Sequence, residues 1–80
     1  MANEVQNTID NAKELRVKIE KIKQVILAFK KISLECDYYA DKGEVLANIT
    51  LAYRHMEDAK MRLGKVIQYS DIASQTDKDN

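Results

Sequence analysis

Residues 5–33, VQNTIDNAKELRVKIEKIKQVILAFKKIS, place apolar or small side chains at Val5, Ile9, Ala12, Leu15, Ile19, Ile22, Ile26, Phe29 and Ser33. The steps mostly alternate between three and four, the signature of a helix that packs along one stripe against another helix. Asn3 followed by Gln6 resembles a capping box, and Glu4 sits where the first turn of a helix is electropositive. The spacing predicts a helix over about residues 4–36, roughly 50 Å long at 1.5 Å per residue.

A second stripe follows at Val45, Ile49, Ala52, Met56, Ala59, Leu63, Val66 and Ser70. Asp41 and Glu44 frame Gly43 as another capping box and predict a helix over about residues 43–70. Between the stripes, ECDYYADKG reads as a connection centred on about residues 37–42. The tail over 71–80, ending in SQTDKDN, lacks apolar periodicity and is expected to be disordered. The expected fold class is all-α: one domain over 1–80, a long antiparallel two-helix hairpin. Absent proline and only two glycines suit long helices.

Eighty residues bury too little surface for a sturdy monomer, and small scaffolds compensate with disulfides, a metal or assembly. Cys36 is the only cysteine and His55 the only histidine, so a disulfide within the chain is excluded and no metal site is expected. Assembly remains. Thirteen basic residues balance thirteen acidic ones, so no overall field draws in DNA or RNA. No stretch approaches the ~20 apolar residues of a membrane span, and the polar start is no signal peptide. A cytoplasmic location is expected, in line with a free thiol. There is no glycine-rich phosphate loop, nucleophile elbow or paired-carboxylate motif, so neither catalytic residues nor a cofactor are expected.

Apolar residues also lie off the stripes. Val17, Val25, Leu27 and Leu34 do so in the first helix, and VILAF at 25–29 is apolar nearly all round. Leu46, Tyr53 and Ile67 recur at sevenfold spacing in the second. A helix that is apolar on two faces is covered on two faces. One hairpin covers one, so the expectation is a homo-oligomeric helical bundle, with Val17, Val25, Leu27, Phe29, Leu46, Tyr53 and Gly64 at its interfaces. Gly64 costs about 1 kcal/mol relative to Ala inside a helix, which points to close approach of another helix or a ligand.

Arg54, Met61 and Lys65 fall on a further flank of the second helix, with Asp58 between them. One reading is a solvated face held by Arg54–Asp58 and Asp58–Arg62 pairs at i,i+4. The other is a cationic wall for an anionic ligand, in which Arg supplies a planar donor fork, Lys a point charge and Met61 a soft apolar contact. His55 reads as a partly buried amphipathic residue. Tyr38 and Tyr39 read as caps on an apolar end, with base stacking as the alternative. Cys36 reads as a small packing residue with nothing beside it to activate the thiol.

The run RHMEDAKMRLGKVI, residues 54–67, resembles the second helix of the phage helical-hairpin sponges, the family of anti-CBASS and Thoeris anti-defence proteins. The resemblance lies in Arg54-His55, Met56, Glu57-Asp58, Ala59, Met61, Lys65 and Val66-Ile67, with a looser match around IDNAKELRVKIEKI and its Lys13. It implies short α-hairpins that form homo-oligomers, typically hexamers, and hold cyclic di- or trinucleotide signals between protomers without cleaving them. Lys65 would then contact a phosphate, as would Lys13 from a neighbouring first helix, with Arg54 and Met61 beside them. Some members stack a base on a tyrosine upstream of that first-helix lysine. Residues 1–12 carry no aromatic, which leaves stacking to Arg54 or to a tyrosine of another protomer. If the chain is phage-encoded, its location would be the host cytoplasm. The alternative function is a hairpin that covers a host or partner protein with its second apolar face.

Overall fold

Two helices account for nearly all of the computed structural model, which describes residues 2–70: α1, Ala2–Leu34, and α2, Lys42–Ser70. There is no strand among the described residues, and the helices pack against each other as a hairpin. The tail expected to be disordered lies outside the described residues.

The reversal is built locally. α1 closes with Glu35 N–H donating to the Ile32 carbonyl at 3.1 Å and Cys36 N–H donating to that of Ser33 at 3.2 Å. These are short-range bonds of the kind that tighten a last helical turn. Asp41 caps α2, its carboxylate accepting from Glu44 N–H at 3.0 Å, as the second capping box anticipates. Lys42 ties back to Asp37 at 3.0 Å, and the Tyr39 hydroxyl donates to Ser33 Oγ at 3.2 Å, joining the connection to the end of α1. The first capping box does not form. α1 is already helical at Asn3, and Gln6 turns forward to donate to Asp10 at 2.9 Å.

The predicted heptad rhythm is present, but the stripe that faces inward is rotated. In α1 the protected positions are Val5, Ile9, Ala12, Arg16, Ile19, Glu20, Lys23, Ile26, Lys30 and Ser33. Leu15, Ile22 and Phe29, expected in the seam, are about half exposed. In α2 the protected set centres on Leu46, Ile49, Tyr53, Met56, Lys60, Leu63 and Ile67, while Ala52 and Val66 are open. Leu46 and Tyr53 therefore serve the hairpin itself and not the outer face first expected for them. The reason lies across the seam, where the long stems of Lys23 and Lys60 cover apolar surface and their heads meet Glu57 and Glu20 on the other helix.

The resulting core is thin. Ala12, Ile49, Ser33 and Lys23 are the only buried residues among those described. The molecule measures 58 × 22 × 14 Å, and its least extent is about one helix with side chains. It exposes 6270 Å², whereas a compact protein of this mass exposes about 4,900 Å².

Candidate functional site

The hairpin has two unlike broad sides. On one, Phe29 and Ile26 of α1 meet Val45, Ile49 and Ala52 of α2 in an open groove of about 660 Å³, rimmed by Asp41, Glu44 and Asn48. Leu15 and Ile22 share the heptad position of Phe29, and Ala59 and Val66 share that of Val45 and Ala52, so the apolar stripe runs on along both helices. Val25 and Ile32 extend it over the outer edge of α1, where they are 67% and 69% exposed.

The opposite side is charged. Lys13, Arg16, Val17, Glu20 and Lys21 of α1 and Lys60 of α2 line a groove of about 560 Å³. Glu20 organises it. Its carboxylate accepts from Lys60 at 2.8 Å across the seam, from Lys23 at 3.3 Å and from Gln24 at 3.3 Å. The hydrogen bond from Lys60, then those from Lys23 and Gln24, hold the Glu20 carboxyl far below its ordinary value of 4.5, at about 2, against the opposing pull of burial. Lys23 packs inward with its ammonium 5.2 Å from the centroid of the Tyr53 ring and 3.9 Å from Glu57. Burial works against its charge, yet the hydrogen bond to Glu20 and the fields of Glu20, Tyr53 and Glu57 raise its pKa above the ordinary value.

Arg16 has no such partner among the described residues. Its Nε is sealed from solvent without a hydrogen bond among them. The guanidinium lies against Gly64, where a β-carbon would sit 3.6 Å from Cζ and 3.8 Å from Nε and Nη2. The close neighbour expected of Gly64 is thus α1 of the same hairpin.

Arg54, Met61 and Lys65 are exposed on the side of α2 turned away from α1, and neither cation forms an ion pair among the described residues. The Arg54–Asp58 and Asp58–Arg62 pairs are not formed, whereas Glu14–Lys18 is, at 3.2 Å. Lys13 lies elsewhere, on the wall of the charged groove. One chain therefore does not bring Lys13 together with Lys65, Arg54 and Met61. Of the residues expected at oligomer interfaces, Val25 and Phe29 belong to the open apolar side, whereas Val17 lines the charged groove and Leu27 shares the heptad position of Lys13 and Glu20. His55 is exposed, not partly buried.

The Glu20–Lys23–Lys60 cluster and the Arg16–Gly64 contact were not anticipated. A signal was present: Arg16, Lys23 and Lys30 recur every seven residues beside the apolar stripe. Among the described residues, no group of three His, Cys, Asp or Glu side chains could hold a metal, and no helix is long and apolar enough to cross a membrane. No protein-family model matches the chain, and comparison with curated proteins and with solved structures finds no match either.

Proposed function

We propose that the hairpin is a self-assembling, non-catalytic binding protein that holds a cyclic di- or trinucleotide between protomers, in the manner of the phage anti-defence sponges, with hexamers as the working assembly. The observation that carries this reading is the pairing of an uncovered apolar side with cations that have no ion-pair partner among the described residues. Arg54 and Lys65 are exposed on the outer face of α2 without an ion pair among the described residues, with Met61 beside them. Residues that diverge in one protomer converge when copies meet about a symmetry axis, so few cations per chain suffice for several phosphates. Each charge-assisted contact to phosphate contributes about 1.5–3 kcal/mol.

The test is calorimetry against a panel of cyclic di- and trinucleotides. Lys65→Ala should weaken binding at least tenfold, about 1.4 kcal/mol, while leaving the sedimentation coefficient and melting temperature of the protein unchanged. The ligand should be recovered intact after heat release. Absence of binding by the wild type at millimolar ligand ends this reading.

A second reading, a hairpin that docks on another protein, is supported by the apolar groove at the connection end lined by Ile26, Phe29, Val45, Ile49 and Ala52. The two readings differ in the free state. A sponge is oligomeric on its own, whereas a docking hairpin leaves the groove open until its partner arrives.

A further inference from the structure

The charged groove holds a surplus of cations that its single carboxylate does not use. Lys13, Arg16, Lys21 and Lys60 line it, together with Glu20 and Val17. Glu20 already accepts from Lys60, Lys23 and Gln24. Lys13, Arg16 and Lys21 are left without an ion pair among the described residues, and Arg16 Nε is buried with no acceptor. Such a donor normally finds a partner in a folded protein, and the described residues offer none.

We infer that this groove is an anion subsite for one phosphate group, with Arg16 as its anchor and Gly64 as the seat that positions the guanidinium. The flat guanidinium lies beside Gly64, within ordinary contact of the place a β-carbon would take, so a larger side chain there would meet it. A planar fork grips two oxygens of an oxyanion, and the flanking Lys13 and Lys21 ammonium groups add charge that a phosphate matches better than a singly charged carboxylate. The Lys60–Glu20–Lys23 cluster closes the floor and keeps Glu20 turned to its lysines, which limits its repulsion of the ligand. The inference stands apart from the proposed site around Lys65, which lies on the other face of α2. The phosphate can be free or belong to a nucleotide.

The experiment uses the full chain labelled with nitrogen-15. Inorganic phosphate and AMP are titrated separately at constant ionic strength, with chloride as the control anion, and the Arg16 Nε–H resonance is followed. Phosphate should give a saturable shift that chloride does not. Tighter binding of AMP assigns the site to a nucleotide phosphate, and equal affinity assigns it to the phosphate alone. Arg16→Gln should abolish the saturable shift of the neighbouring groove resonances. Gly64→Leu, whose branches occupy the guanidinium's place, should weaken binding at least tenfold. Lys13→Ala, a change at an exposed position that leaves the hairpin seam intact, should weaken it severalfold and keeps the test open if either other variant fails to fold. A response to phosphate no different from that to chloride, or one that survives both Arg16→Gln and Lys13→Ala, overturns the inference. Cyclic-nucleotide binding that depends on Lys65 would be untouched by that failure.

Discussion

Phe29→Asp is the perturbation that bears most directly on the uncovered apolar side. Phe29 is 52% exposed in the hairpin and forms one wall of the groove with Ile26, Val45, Ile49 and Ala52. A phenylalanine carries about 200 Å² of surface, so about 100 Å² remains to be covered by another copy. At about 25 cal/mol per Å² that cover contributes ~2.5 kcal/mol per protomer, and ~5 kcal/mol in a two-fold interface that uses the residue twice. Aspartate forfeits this and places a carboxylate against an apolar wall, which adds a desolvation cost of similar sign. Since 1.4 kcal/mol is a factor of ten, association should weaken by at least about a thousandfold. Sedimentation equilibrium at micromolar protein should show wild type as an oligomer and Phe29→Asp as monomer. Leu27→Asp, on the charged side, should have a smaller effect. A wild type that sediments as a folded 9.2 kDa species and melts cooperatively refutes the reasoning.

Acid should loosen the hairpin through Glu20. Its folded pKa, about 2, lies below its ordinary 4.5, so its contribution is full above pH ~4.5 and is lost as pH falls towards 2. Melting temperature in that window should therefore fall more steeply for wild type than for Glu20→Gln. Gly64→Ala should be tolerated, because its β-carbon makes ordinary contact with Arg16, and thermal melts should show a gain of up to about 1 kcal/mol from helix propensity. Tyr39→Phe removes the hydroxyl donor to Ser33, which is wholly buried, and should cost about 1 kcal/mol. Combined with Ser33→Ala in a double-mutant cycle, the two losses should be less than additive.

The sequence made the two helices legible because the set Val5, Ile9, Ala12, Ile19, Ile26 and Ser33 repeats without a break and no proline interrupts it. It did not reveal which flank turns inward. Hydrophobicity favours Leu15, Ile22 and Phe29 over Arg16, Lys23 and Lys30, and that preference holds for a helix considered alone. The structure reverses it because Tyr53, Glu57 and Gly64 receive Lys23 and Arg16 from the far side of the seam, while Glu20 pairs with Lys23 along α1 itself. Pairings between residues 30 to 48 positions apart leave no trace in the periodicity of either helix. The proposed ligand residues show the same limit. Arg54, Met61 and Lys65 could be placed on one flank of α2 from spacing, but the separation of Lys13 from them depends on how the two helices are turned.

The bond from Lys60 to Glu20 also acts as a ruler. Two heptad helices can slide past each other by seven residues and still match stripe to stripe, so apolar contact alone leaves several alignments of similar energy. Seven residues either side of Glu20 stand Lys13 and Leu27. A slide one way sets the Lys60 ammonium against another ammonium, and a slide the other way sets it against leucine. Only the observed alignment offers it a carboxylate, at 2.8 Å. The misaligned hairpins are penalised at the one point where the correct one is rewarded, and a copy that joins the apolar side meets helices whose ends are already in step.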